Sequence, residues 1–167
     1  MRRPAASFPA VPQQLWFLRH GDSEPHGARS DSDRRLTEKG EKQSRVAGAA
    51  LAKLGLEFDA VIASPRVRGL DTAKLACEAL GGEPVAHEPL SGGFDREDAD
   101  ELLASHDEDA TLLLVGHEPD FSETIRDLVG GRVEMKKGGV AGVRVDRRTG
   151  ELIALLRPGE LRRISGA

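Results

Sequence analysis

Three short stretches carry residue types able to do phosphorus chemistry, and each follows directly on an apolar run. "LWFL" (15–18) runs into Arg19, His20 and Gly21. "AVIA" (60–63) runs into "SPRVR", Ser64 to Arg68, and "TLLLV" (111–115) into "GHEPD", Gly116 to Asp120. Arginine guanidiniums offer forked donors that match the oxygens of a phosphoryl group. A neutral, well-aimed histidine can attack phosphorus. A second histidine, if protonated, can donate to the equatorial oxygens as charge redistributes. The set holds too few acids and no cysteine for a metal cage, and it lacks the glycine and lysine pattern of a nucleotide P-loop. Phosphoryl transfer through a phosphohistidine, with no cofactor and no metal, is the chemistry these residues suit.

The elements that must position them can be read from patterning. The apolar runs are unbroken, as in strands covered on both faces of a parallel sheet. Helical patterns lie between them. The first covers 37–55, with Thr37 as N-cap, Gly55 as the stop, and Val46, Ala49, Ala50 and Leu54 on one face. The second covers 67–82, with Leu70, Ala73, Leu75, Cys77 and Leu80 mostly on one side. Two more cover 96–106 and 119–131, the latter with Pro119 in the first turn. "GGEPVAHEPL" (81–90) reads as a short strand with its approach loops. After Gly131, "GGVAGVRVD" and "GELIALLRP" flank "RRTG", a hairpin with Gly150 supplying the turn. The fold class is α/β: a three-layer α/β/α sandwich, its central sheet mostly parallel with an antiparallel C-terminal edge. In open sheets of this kind ligands sit beyond the carboxyl ends of the strands. Neighbouring parallel strands would therefore bring both motif histidines and up to three arginines to one spot. The loop at 21–36 is long and polar, a candidate functional segment.

Composition bounds the rest. The chain has 167 residues, enough to bury a core, and reads as a single domain over 1–167 with residues 1–12 as a flexible arm. That arm has no apolar stretch fit for a signal peptide. Net charge is −4, which argues against a nucleic-acid partner. No apolar run approaches the roughly 18 residues of a membrane span. The lone cysteine, Cys77, leaves no disulfide to form within the chain, and a cytoplasmic location fits.

Together, "LRHGDSE", "LTEKGEKQ" (36–43), "SPRVRGLDTA" (64–73) and "VGHEPD" (115–120) resemble the histidine phosphatase, or phosphoglycerate mutase-like, superfamily. Their order and spacing are most similar to its small SixA-like phosphohistidine phosphatase branch. The resemblance implies that His20 takes the phosphoryl group, that Arg19 and Arg68 bind its oxygens, and that His117 donates to it. Gly21 leaves the approach to the main chain open. Larger family members carry an acid on an insertion after the second arginine. Here the stretch between Arg68 and His117 is needed for a helix, a strand and another helix, so Asp22 and Glu118 are the nearest candidate acids. A phosphohistidine loses imidazole, whose conjugate acid has a pKa of roughly 6.5, so little acid catalysis is needed. A missing lid also leaves the pocket open to a histidine displayed on a protein.

The expected substrate is therefore phosphohistidine on a protein partner, with phosphate or another tetrahedral oxyanion binding in the pocket. A small-molecule phosphomonoesterase and a non-catalytic phosphate-binding module are the alternatives. Of the remaining residues, Ser64 is expected to cap the helix that starts near Pro65. Thr72 is expected to pack or bond locally, and Arg66 to sit outside the pocket. Arg34 and Arg35 either rim the pocket or form a solvated cluster with Asp31 and Asp33. His26, His87 and His106 read as surface or loop residues, and Trp16 as core.

Overall fold

The computed structural model describes residues 11–147 and 149–167; the arm read at 1–12 lies outside the described residues except for its last two. Six strands form one sheet in the order β3-β2-β4-β1-β5-β6. They are β1 (Gln13–Arg19), β2 (Ala60–Ala63), β3 (Val85–Ala86), β4 (Thr111–Gly116), β5 (Val140–Asp146) and β6 (Thr149–Leu156). β1 to β4 run parallel, and β5 and β6 add the antiparallel edge.

The unbroken apolar runs are strands with both faces covered. Side chains alternate across a strand, so Leu15 and Phe17 enter one core while Trp16 and Leu18 enter the other. The first core is closed by α3 (Arg96–Ala104) and α4 (Asp120–Val129), through Ala99, Leu102, Phe121 and Ile125. The second is closed by α1 (Glu38–Lys53), α2 (Val67–Leu80) and α5 (Pro158–Ser165), through Ala47, Leu51, Ala73, Ala76 and Leu161. The three layers expected from patterning are present. Among the described residues no helix is long and apolar enough to cross a membrane.

Several local readings change. Thr37 caps α1, its side chain accepting from the Gly40 amide at 3.1 Å, and the helix stops before Gly55. Its inner face, however, is Gly40, Ser44, Ala47, Gly48 and Leu51 with Ala50, while Leu54 is 49% exposed. Small residues face inward because α1 meets α2 backbone to backbone: a Cβ on Gly48 would stand 2.3 Å from the Ala76 carbonyl oxygen. The hairpin turn does not use Gly150, which lies inside β6 opposite Val145. Arg147 takes the positive φ instead. Gly150 is small because α4 presses on it: an added Cβ would lie 2.9 Å from the Leu128 carbonyl oxygen. Pro119 is the N-cap of α4 and not a residue of its first turn. The closing helix α5, absent from the sequence reading, begins at Pro158 after Arg157, whose amide donates to Glu160 in a capping box.

Strand register delivers the site. Arg19 pairs with Gly116 and Ala63 with Val115, so β1, β2 and β4 end level. Two further amides extend the ladder, His20 N to Gly116 O at 3.0 Å and Ser64 N to Val115 O at 2.9 Å. His20, Ser64 and His117 thus leave the sheet at the same height.

Candidate active site

His20 is buried at the mouth of the sheet, 6% exposed. Its Nδ1 lies 2.7 Å from the Gly21 carbonyl oxygen. A carbonyl only accepts, so the proton sits on Nδ1 and Nε2 carries the lone pair. Burial pushes this imidazole down to about 4; the Gly21 carbonyl opposes that, and Arg68, Arg19 and Lys137 add to it. The ring is therefore neutral at pH 7, the state a nucleophile requires. Gly21 is held in turn by Thr72, whose hydroxyl accepts from the Gly21 amide at 3.1 Å and donates to the Arg68 carbonyl at 2.7 Å. The local bonding expected of Thr72 thus ties the first motif to the second. Gly21, expected to bind phosphate, does not line the cavity: its amide donates to Thr72 and its carbonyl accepts from His20, and it must be glycine for packing, since a Cβ there would lie 2.4 Å from the Gly40 carbonyl oxygen.

His117 faces His20 across the cleft, ring centroids 5.1 Å apart at an interplanar angle of 54°. Its Nε2 lies 2.7 Å from the Ser64 hydroxyl oxygen. That oxygen already accepts from the Arg66 amide at 3.2 Å. A hydroxyl oxygen has two lone pairs, so beside that bond it can donate to Nε2 or accept from it, according to the ring's tautomer; Nδ1 is buried without a partner. Burial, followed by His20, Arg68 and Arg66, pushes His117 down to about 3, with Asp31 opposing. In the tautomer in which the Ser64 hydroxyl donates to Nε2, neutral His117 is a donor through Nδ1. Ser64 is not the helix cap expected of it: α2 starts at Val67 with Arg66 as N-cap, and the Ser64 hydroxyl accepts from the Arg66 amide ahead of the helix while it holds His117. The sequence signal was there in the motif; its partner, on another strand, was not.

Arg19 leaves the end of β1, and one guanidinium nitrogen donates to the Met135 carbonyl at 2.8 Å. Arg68 occupies the first turn of α2, buried, and donates to the Asp31 carbonyl at 2.6 Å and to its carboxylate at 3.2 Å. The Nε atoms of both arginines are buried and unpartnered. With His117 Nδ1 they make up all such side-chain atoms among the described residues. An orphaned buried donor is costly. Here all of them belong to residues lining one cavity of about 440 Å³. The arrangement suits an acceptor with several oxygens on one centre.

The two candidate acids part company. Asp22 accepts from the Thr37 hydroxyl at 2.8 Å and pairs with Lys137 at 3.2 Å, and it does not line the cavity. Burial pushes its carboxyl up, but Thr37 and Lys137 outweigh that and hold it below its ordinary value. Glu118 does line the cavity, one oxygen accepting from the Ser122 amide at 2.9 Å.

Arg66, expected outside the pocket, lines it, as does Arg34, which is buried. Both are bound by Asp31, whose side chain stays partly exposed, so of the two readings Arg34 rims the pocket, while Arg35 is exposed and does not line it. His26 belongs to the mouth, its side chain 87% exposed, as a loop histidine would be. Lys137 and Asp120 also line the cleft. Lys137 was missed because nothing local marks a lysine in a coil segment as facing a pocket.

Fold and pocket together define an α/β domain whose strand ends set two imidazoles and two guanidiniums around one cavity. The chain belongs to the histidine phosphatase superfamily, and its structure is SixA-like. Residues 15–92 match the model of that superfamily's branch 1. An uncharacterised protein of Picosynechococcus is 34% identical over 142 residues, 78% of this chain and 84% of that one. The protein histidine phosphatase SixA, solved with tungstate, superposes with a TM-score of 0.78 at 25% identity, covering 89% of this chain and 99% of that one. The mitochondrial serine/threonine-protein phosphatase Pgam5 of Drosophila ananassae is 39% identical over 72 residues, 43% of this chain and 25% of its own.

Proposed function

We propose that this protein is a cofactor-independent phosphatase that hydrolyses phosphohistidine on a protein partner, with His20 as nucleophile. Arg19 and Arg68 bind the phosphoryl oxygens, and His117 donates to one of them from Nδ1. His20 Nε2 attacks phosphorus, and the bond from phosphorus to the leaving imidazole breaks. That imidazole departs with a proton it already carries. Water then attacks the phosphorus on His20, the N–P bond breaks with its electron pair returning to Nε2, and phosphate leaves as dihydrogen phosphate carrying both of the water's protons.

The observation that carries this reading is the set of three buried, unpartnered nitrogens, Nε of Arg19 and Arg68 and Nδ1 of His117, on residues that line one cavity together with His20. The tungstate in the SixA relative supports it, since tungstate is a tetrahedral oxyanion like phosphate. The stretch between Arg68 and His117 is taken up by α2, β3 and α3 and carries no long insertion, which suits a side chain presented by another protein. A reducing, cytoplasmic setting accords with the single buried cysteine.

A substrate panel tests the proposal. Phosphohistidine peptides and phosphoimidazole should be hydrolysed far faster than alkyl phosphate monoesters. Faster turnover of sugar phosphates or nucleotides would instead make it a small-molecule phosphomonoesterase. Tight phosphohistidine binding with no phosphate released would make it a binding module.

A further inference from the structure

The wall of the cleft away from the two histidines is organised around one carboxylate. Asp31 begins a short 3-10 turn, Asp31–Asp33, in the loop between β1 and α1. One of its oxygens accepts two bonds from the Arg34 guanidinium, at 3.0 and 2.9 Å. The other accepts from Arg66 and, at 3.2 Å, from Arg68. Its carbonyl takes a further Arg68 bond at 2.6 Å. Arg34 spends its remaining contacts on the Glu24 carbonyl at 2.7 Å and the Ser23 hydroxyl at 3.3 Å. Of the buried guanidinium nitrogens around Asp31, Nε of Arg68 is left without a partner among the described residues.

Two further carboxylates line the cleft. Glu118 and Asp120 line the cavity, and among the described residues neither makes an ion pair; each accepts from a backbone amide, of Ser122 and of Gly93 respectively. A phosphoryl group seated between Arg19 and Arg68 would therefore bring its leaving group into a cleft lined by the carboxylates of Asp31, Glu118 and Asp120. Like charges in a cleft of low dielectric repel strongly, and selection against a wrong partner commonly works through such placed repulsion.

We propose that Asp31 sets substrate choice by charge: it occupies Arg34, Arg66 and the outer edge of Arg68, so the cleft accepts a phosphoryl group on a neutral or cationic leaving group and turns away one that brings a second anion. This rests on the reading of the cavity as a phosphoryl site and adds the identity of what may be attached. Protonated imidazole satisfies the rule; a neighbouring carboxylate or second phosphate does not. Asp31 acts through the arginines, so it is a positioning and selecting residue.

The test compares orthophosphate with pyrophosphate by titration calorimetry in the wild type, Asp31→Asn, Asp31→Glu and the double variant Asp31→Asn with Arg66→Gln. Freeing Arg66 and Arg34 should raise the pyrophosphate-to-orthophosphate affinity ratio of Asp31→Asn about tenfold, the scale of one charge-assisted hydrogen bond. Asp31→Glu should stay near the wild-type ratio, and Arg66→Gln should remove most of the gain. A purely structural role would weaken both ligands and could not raise the ratio. An unchanged or lowered ratio in Asp31→Asn overturns the proposal while leaving the phosphoryl site intact. A wild type that binds no orthophosphate removes the site itself, and the proposal with it.

Discussion

The Ser64 hydroxyl stands 2.7 Å from Nε2 of His117 and joins the end of β2 to the end of β4 across the sheet. It occupies Nε2 of His117 and leaves Nδ1 as the ring nitrogen without a partner. Partners that orient a functional imidazole are worth roughly 10–100-fold. Ser64→Ala should lower kcat on phosphoimidazole by about that factor, with KM changed less. Steady-state kinetics decide it, and a kcat equal to the wild type would remove Ser64 from the machinery.

Substituting the proposed nucleophile should be more severe. His20→Ala should lose about 10⁴-fold or more in turnover, as enzymes do when a covalent nucleophile is removed. Brief exposure of the wild type to labelled substrate should leave acid-labile phosphate on the protein, and His20→Ala should show none. Undiminished hydrolysis by His20→Ala would end the covalent mechanism.

Stability should follow the two buried imidazoles. Both are held below the ordinary histidine value, at about 4 and about 3. Between those values and roughly pH 6.5 the unfolded chain binds protons that the folded chain refuses, so stability rises with pH across that window and falls as pH drops through it. Thermal melts should show Tm decreasing from pH 7 to pH 4.5. The double variant His20→Gln, His117→Gln should show a shallower slope, and an identical slope would mean that these rings are not the titrating groups.

The candidate acids can be separated by leaving group. Asp22 is committed to Thr37 and Lys137, and breaking one partly exposed pair costs little. Asp22→Asn should keep phosphoimidazole hydrolysis within about threefold. Glu118 lines the cleft, and an alkoxide needs a proton that imidazole does not. Glu118→Gln should therefore depress alkyl monoester hydrolysis more than phosphoimidazole hydrolysis. Equal effects on both substrates would rule it out as an acid.

Backbone contact beneath the site gives a stability test. A Cβ on Gly40 would lie 1.9 Å from the Asp22 carbonyl oxygen, whereas one on Gly159 meets nothing within 4 Å. Overpacking of this kind costs about 1–3 kcal/mol. Gly40→Ala should lose at least that much in urea unfolding. Gly159→Ala, in the first turn of α5, should be neutral or gain up to about 1 kcal/mol.

What the sequence determined by itself was local in its physics. Unbroken apolar runs mark doubly covered strands, Thr37 marks a helix start, and polar residues at the ends of those runs mark where chemistry would collect. Arg19, His20, Arg68 and His117 were legible because motif and strand end coincide in the chain. The inner face of α1 was not, because Gly40 and Gly48 face inward through the close approach of other backbones, a contact that hydrophobicity cannot report. The position of Gly150 was misread for the same reason: what demands a glycine there is Leu128 on another element. The charge map lay furthest from view. That Asp31 would gather Arg34, Arg66 and Arg68, that Lys137 would take Asp22 away from the cleft, and that Ser64 would hold His117 were all decided by tertiary structure. Ion pairs and hydrogen bonds act over a few ångströms, and only the folded sheet brings residues tens of positions apart within that reach.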